Sequence, residues 1–168
     1  MKLGVPADRV GRLCVASFSG GHVAVREALL DPKWSGRITD LVLADSLYAP
    51  RARGDTNALD PVVVKPFVEF ARRAVNGKAC FVFSHLYPPD PQYRHNTTTL
   101  AAEFLLRELK VAKASAGSRN MRGAELLYRA EHSGFHVLGY AGMTNQDHFD
   151  HFYALADLLR ITSLEAAR

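Results

Sequence analysis

The sequence predicts an α/β protein whose mostly parallel sheet forms a three-layer sandwich with helices. Strand-like apolar runs alternate four times with segments of helical period, and this alternation is typical of parallel sheets. Two of the runs, 38–44 and 79–84, are largely apolar throughout, as strands are when helices cover both faces of a sheet. The chain has 168 residues, which suits a single domain over 1–168.

The first strand and the first helix flank a glycine-rich turn. Residues 12–18 are predicted as the strand, because Leu, Val and Phe recur in a short run that stops at a serine. Residues 23–30 are predicted as a helix that ends before Pro32, since proline cannot continue a helix. The second predicted strand, 38–44, follows directly.

The middle of the chain predicts a helix, a strand and another helix. A polar loop through 51–55 precedes the helix over 61–75, which has proline in its first turn and apolar residues at helical spacing. The strand over 79–84 reads Ala-Cys-Phe-Val-Phe-Ser. A proline-rich loop then leads to a helix over 98–112, whose leucines and phenylalanine share one face.

The last third of the chain contains a weakly predicted edge strand, followed by a strongly predicted strand and helix. A polar, glycine-containing linker is predicted over 114–123, followed by a short edge strand over 125–130. Residues 135–140 predict the last strand of the parallel sheet, and residues 147–159 predict the last helix.

Composition limits the classes of function. Hydrophobic residues make up 48% and charged residues 23%, as in ordinary globular proteins, and the formal net charge is +4. Lys and Arg are scattered, which argues against a nucleic-acid interface. No apolar run is long enough to span a membrane and no secretory leader opens the chain, so we expect a cytoplasmic protein. We expect Cys14 and Cys80, each in an apolar run, to be buried free thiols.

The segment after the first strand predicts a nucleophile elbow. In this arrangement a serine lies at the apex of a sharp turn between a strand and a helix, and its neighbours must be small. Ser19 occupies the apex, and Ser17, Gly20 and Gly21 are the small neighbours. The geometry would expose the Ser19 hydroxyl and direct the Gly20 N–H towards an oxyanion. A phosphate-binding turn at a helix N-terminus, or a plain tight turn, are the alternatives.

Acidic and histidine side chains follow the later strands. In a parallel sheet, ligands bind beyond the carboxyl ends of the strands, so these residues are the candidates for an acid and a base. Asp45 follows the second strand and is the candidate acid, with Asp90 as the alternative. His148 is the candidate base, with His151, one helical turn further, as the alternative.

Further residues at the strand ends are candidates for contacts with a substrate. They are His22, Tyr48, His85 and Phe149. For His85 the alternative is a hydrogen-bonded core histidine, and for Tyr48 and Phe149 it is ordinary packing. The H-x-x-H spacing at positions 148 and 151 also suggests a metal, but no third ligand accompanies it, so no metal site is expected.

These motifs resemble the carboxy-terminal half of an α/β-hydrolase of the esterase or lipase kind. The resemblance is carried by Ser-Phe-Ser-Gly-Gly, by Leu-Val-Leu-Ala-Asp-Ser-Leu-Tyr and by Asp-His-Phe-Asp-His, in the chain order Ser, Asp, His. It implies hydrolysis of a small-molecule carboxylic ester without a cofactor. It also implies an amino-terminally truncated fold whose first strand has an unpaired edge, which a homodimer would cover.

Two other functions remain open on the sequence. The first is a flavodoxin-like module that binds a phosphate-bearing ligand or nucleotide at residues 19–22. The second is a catalytically inactive fragment of a hydrolase fold that acts in assembly. The phosphate module is disfavoured because the loop has neither G-x-G-x-x-G nor a P-loop lysine, and because Asp45 would repel a phosphate.

Overall fold

The structure is a computed structural model, and it describes residues 11–90, 92–93, 98–119 and 123–163, with the side chains of 55–57 and 119 left undescribed. The strands β1 to β8 span Leu13–Phe18, Ile38–Ala44, Arg51–Ala52, Asp55–Leu59, Cys80–Tyr87, Ala114–Arg119, Glu125–His132 and Phe135–Ala141. The helices α1 to α6 span His22–Leu30, Pro32–Ser35, Pro61–Val75, Thr99–Leu109, Asn145–Tyr153 and Leu155–Leu159.

Six strands form one sheet in the order β1-β2-β5-β8-β7-β6. The first four strands in this order are parallel, and β7 and β6 continue the sheet in antiparallel pairing. The prediction of an α/β fold with a mostly parallel sheet is therefore confirmed. Because β1, β2, β5 and β8 run the same way, their carboxyl ends lie at one edge of the sheet.

Helices cover both faces of the sheet, which gives two apolar cores. On one face, side chains of α1, α3 and α4 pack on alternate residues of the strands, among them Leu41 and Leu43. On the other face, Leu158 of α6 packs on the intervening residues, such as Val42 and Ala44. This alternation explains why β2 is apolar at nearly every position, as predicted for a strand buried on both sides.

Several elements differ from the prediction. The polar loop through 51–55 contains a small antiparallel hairpin of β3 and β4. The linker predicted over 114–123 contains β6, and β6, not 125–130, forms the sheet edge. The segment predicted as a short edge strand is the longer β7, paired on both sides. The last predicted helix is interrupted at Ala154, which separates α5 from α6.

The amino ends of β1 and β2 lie next to the last described residues of the chain. At the amino end of β1, Arg12 Nη1 donates to the carbonyl of Ser163, at 2.8 Å, so the first and last described segments meet there. Asp40, fully buried, accepts hydrogen bonds from the backbone N–H and hydroxyl of Ser163.

Among the helices of the described residues, none is long and apolar enough to cross a membrane.

Candidate active site

Two strand ends place Ser19 and Asp45 close together at the carboxyl edge of the sheet. Ser19 follows β1 and opens a single 3-10 turn that leads into α1. Asp45 follows the neighbouring strand β2. Both residues adopt left-handed backbone conformations, with φ of +53° and +38°. Such conformations cost non-glycine residues about 1–3 kcal/mol each, and they cluster at active sites, ligand clamps and switch regions.

Small side chains hold the turn at Ser19 together. The Ser46 hydroxyl donates to the Ser19 carbonyl at 2.6 Å and also lies 3.1 Å from the Ser17 hydroxyl. A Cβ added at Gly21 would come within 3.0 Å of the Ser17 Cβ, whereas one added at Gly20 would meet nothing within 4 Å. The turn therefore needs a small residue at position 21 because α1 closes tightly against β1.

The carboxylate of Asp45 is fully buried and accepts four hydrogen bonds. Oδ1 accepts from the backbone N–H of Leu86, at 3.1 Å, and from the Thr98 hydroxyl. Oδ2 accepts from the Tyr48 hydroxyl, at 3.0 Å, and from His148 Nδ1, at 2.6 Å. Burial alone would raise the pKa of Asp45, but these hydrogen bonds and the nearby His151 outweigh it and lower the pKa to about 2. The group is therefore a carboxylate at neutral pH.

His148 lies in α5 between the buried acid and the surface. Its imidazole stacks on Phe18, the residue before Ser19, with ring centroids 4.4 Å apart. Its side chain is 19% exposed. The hydrogen bond to Asp45 uses Nδ1 and fixes the direction of the ring, so Nε2 is the nitrogen left for other contacts.

The Ser19 hydroxyl and the imidazole of His148 do not contact each other directly. Ser19 is partly exposed, and within the described part of the chain its hydroxyl has no hydrogen-bond partner. The stacking of His148 on Phe18 places the imidazole beside the turn at Ser19, but no described hydrogen bond joins the imidazole to the Ser19 hydroxyl. Hydrogen bonds between catalytic groups are often open in unliganded proteins and close on substrate.

The two alternative residues have other partners. His151 is buried, and its Nδ1 is joined to the Ser84 hydroxyl at 2.8 Å. Its burial lowers its pKa, which favours the neutral imidazole. Asp90 is exposed and accepts from the backbone and side chain of Gln92, which forms a local turn. The structure therefore brings Asp45 and His148 together, and leaves Asp90 and His151 in separate contacts.

The predicted substrate-contacting residues fall into two groups. Tyr48 and Phe149 are 39% and 47% exposed and flank His148, with ring centroids 6.2 and 5.9 Å from its imidazole. His22 is buried at the start of α1, with Nδ1 3.3 Å from the Ser19 carbonyl. His85 is fully buried in the core. The structure thus groups Tyr48, Phe149 and His22 around the elbow and sets His85 apart.

His85 has the contacts of a core histidine. Its Nδ1 lies 2.8 Å from the Leu86 carbonyl, and its Nε2 lies 2.5 Å from the Tyr128 hydroxyl. Burial lowers the pKa of His85 to about 4, so the ring is neutral at ordinary pH. In its observed position this side chain is not accessible to a ligand.

Three residues at the site were missed by sequence reasoning. Ser46 braces the turn, Thr98 binds Asp45, and Phe18 supports His148. Ser46 directly follows Asp45 in the sequence, so its place at the same strand end could have predicted a contact with the turn. Thr98 lies 53 positions from Asp45, and nothing in its local sequence indicates that contact.

The described side chains contain no group of three or more His, Cys, Asp or Glu arranged to hold a metal ion. His148 and His151, the two members of the H-x-x-H motif, contact Asp45 and Ser84 respectively. The two histidines of the motif therefore make separate hydrogen bonds with different partners.

The fold and the polar cluster together define an α/β protein with a mixed six-stranded sheet and a candidate site at the carboxyl ends of its parallel strands. Comparisons with models of protein families, with curated proteins and with solved structures found no match for the chain. The case for a function therefore depends on the geometry of the site.

Proposed function

We propose that this chain is a serine hydrolase of the α/β-hydrolase type that cleaves carboxylic esters. The observation that carries the proposal is the 2.6 Å hydrogen bond between His148 Nδ1 and the buried Asp45 carboxylate, beside a serine held in a left-handed turn. A histidine oriented by a buried acid is the usual activator of a serine nucleophile.

In the proposed reaction, the Ser19 Oγ attacks the ester carbonyl while His148 Nε2 takes its proton. Asp45 keeps the histidine in the required tautomer and stabilises the imidazolium. The Gly20 N–H donates to the oxyanion of the tetrahedral intermediate. The alkoxide leaves with the proton from His148, and an acyl ester forms on Ser19. Water, deprotonated by His148, then attacks the acyl ester. The bond between the acyl group and Ser19 Oγ breaks, His148 returns the proton to Ser19, and the acid leaves.

The phosphate-binding alternative receives less support from the site. Asp45 directly follows the strand next to the turn, and its low pKa keeps it negative. A carboxylate close to the turn would oppose a phosphate. The nitrogen Nε2 of His148 and the Ser19 hydroxyl are both left without a described hydrogen bond, which suits proton transfer between them.

Reaction with a fluorophosphonate, followed by intact-mass measurement, tests the proposal. We expect one adduct on the wild type and none on Ser19→Ala. We expect labelling of His148→Ala and Asp45→Asn to slow by about a hundredfold or more, because an unactivated serine is a poor nucleophile. Hydrolysis of p-nitrophenyl butyrate should be lost in the same variants.

Two matched controls sharpen this test. Ser133 is also a serine with φ of +53°, in an exposed turn far from His148, so Ser133→Ala should label like the wild type. His151→Ala, one helical turn from His148, should keep labelling provided that it folds. An adduct that persists in Ser19→Ala, or a wild type that takes no adduct, would exclude the proposed hydrolase and favour the inactive or phosphate-binding alternatives.

A further inference from the structure

The edge strand β1 carries no charge or proline to prevent pairing, and its one irregularity, a register shift against β2, lies at its first two residues, Leu13 and Cys14. Within the described residues, β1 pairs with β2 on one side and with no strand on the other. Its six residues, Leu-Cys-Val-Ala-Ser-Phe, include neither a charge nor a proline. Exposed edges in soluble proteins are normally blunted by charged residues, prolines or bulges, because their free N–H and C=O groups otherwise bind another strand.

The helix next to this edge is apolar on its outward face. Phe149, Phe152 and Tyr153 of α5, at helical spacing i, i+3 and i+4, are 47%, 48% and 52% exposed, whereas the residue that α5 buries is His151. A surface helix ordinarily points such a stripe inwards. The outward stripe therefore indicates a surface that is covered by another apolar surface.

The bare edge and the outward stripe are continuous. Phe18, the last residue of β1, lies 5.8 Å from Phe149 and 5.3 Å from Phe152 between ring centroids. Ala16 is exposed on the same face of β1, because side chains two positions apart on a strand share a face. We call Ala16, Phe18, Phe149 and Phe152 the β1-edge patch.

We propose that two copies of this chain pair through β1 in antiparallel fashion, joining their six-stranded sheets into one and covering the β1-edge patch. A two-fold interface must be self-complementary. Residues that face each other across such an antiparallel pair lie on the same face of the sheet, so pairing centred on Ala16 sets Ala16 of one copy opposite Ala16 of the other, and Cys14 opposite Phe18. All six residues are uncharged, so no like charges meet, although each chain carries a net charge of +4.

The two-fold axis also accounts for the helix stripe. When sheets join edge to edge about an axis perpendicular to them, each layer of helices meets the same layer of the other copy. Helix α5 and the patch face of β1 lie on the same side of the sheet. Two stripes would therefore face each other across the junction, apolar against apolar. One interface thus explains both the bare edge and the outward aromatic side chains.

Sedimentation equilibrium and light scattering after size-exclusion chromatography test this pairing. We expect the wild type at high micromolar concentration to have twice the 18.5 kDa mass of one chain. Ala16→Arg should raise the dissociation constant at least tenfold, because it places two like charges across the axis. The matched control is Val62→Arg, which changes a residue that is 66% exposed on α3, on the opposite face of the sheet.

Several results would overturn the proposal: a monomeric wild type, a series of larger open-ended species, or equal dissociation by Ala16→Arg and Val62→Arg. If Ala16→Arg does not fold, hydrogen exchange of the wild type replaces it. The amides of β1 should then exchange more slowly at high protein concentration, and exchange independent of concentration would contradict the pairing. Neither measurement depends on Ser19 chemistry, so this inference and the proposed hydrolase stand or fall separately.

Discussion

Asp45 combines full burial with a negative charge, which is costly unless hydrogen bonds satisfy the carboxylate. Its four donors come from separate parts of the chain: the β5 backbone, the residue before α4, the loop after β2 and helix α5. The tyrosine among them, Tyr48, has a raised pKa owing to burial and the adjacent carboxylate, and so remains a donor. Asp45 therefore connects the candidate site to the stability of the fold.

The depressed pKa of Asp45 predicts a specific loss of stability in acid. A carboxyl whose folded pKa is about 2, against an ordinary 3.8, stabilises the fold above its unfolded pKa and loses that contribution as the pH falls towards 2. The shift corresponds to roughly 2 kcal/mol. We expect the free energy of unfolding in urea to fall by about this amount between pH 5 and pH 2 because of Asp45 alone.

The variant Asp45→Asn isolates this effect, since it cannot titrate. It should be less stable than the wild type at pH 7, and the difference between the two should narrow as the pH falls from 5 to 2. A difference in stability that stays constant over this range would mean that Asp45 does not have a depressed pKa.

The sequence allowed the neighbourhood of the three candidate residues to be predicted, because each follows or approaches a strand end in a parallel sheet. It favoured Asp45 over Asp90 and His148 over His151, but it left both alternatives open. That choice depends on which side chains meet across more than 100 positions of sequence, as His148 and Asp45 do. The catalytic roles of these residues remain predictions.

At the scale of elements, apolar runs predicted the parallel strands and failed for the antiparallel edge. The strand β6, Ala-Ser-Ala-Gly-Ser-Arg, has the composition of a linker, and it is a strand because β7 offers it a partner. The neighbour of β6 was predicted too short for a similar reason. Pairing with β8 extends β7 to His132, beyond the last residue of its apolar pattern.

The pairing of β7 with β8 also requires a glycine at position 139, and nothing in the local sequence predicts this requirement. The Tyr128 ring lies against Gly139, where an added Cβ would come within 2.2 Å of the ring. The ring hydroxyl of the same tyrosine meets His85. A substitution at this glycine would therefore displace the partner of a buried histidine.

The amino end of α5 is held by a capping box that positions His148. The Thr144 hydroxyl accepts from the Asp147 N–H at 3.1 Å, and the Asp147 carboxylate accepts from the Thr144 N–H at 2.8 Å. The His148 N–H donates to the Thr144 carbonyl in the same turn, at 3.1 Å. The element that presents the candidate base thus has its own local stabilisation.

We expect Thr144→Ala to lower the free energy of unfolding by about 1 kcal/mol, the usual contribution of a threonine cap. It should also slow fluorophosphonate labelling of Ser19, because the first turn of α5 frays. The matched variant Thr144→Ser keeps the hydroxyl and should resemble the wild type in both measurements. If Thr144→Ala and Thr144→Ser behave alike, the cap does not position the base.

At the scale of the whole molecule, the two thiols report on global unfolding. Desolvation, reinforced by the Asp40 charge, raises the pKa of Cys14 to about 12 and that of Cys80 to about 11. The chain contains no other cysteine. Since the thiolate is the reactive form, we expect alkylation by iodoacetamide at pH 8 to be about a hundredfold slower in the native protein than in urea.

Mass spectrometry of the alkylated peptides checks this prediction site by site. Both cysteines should become reactive together along the urea unfolding curve. Rapid alkylation of Cys14 in the folded protein, with Cys80 protected, would show instead that β1 opens independently of the rest of the sheet.

The contact between Arg12 and Ser163 marks a place where a label can be attached far from the candidate site. Both residues lie at the amino end of β1, whereas Ser19 lies at its carboxyl end, about 20 Å away for a strand of this length. A fluorescent reporter attached at Arg12 or Ser163 would therefore lie at the opposite end of the strand from the candidate site. Labels attached at positions 12 and 163 would also lie close together, because the two residues are joined by a hydrogen bond.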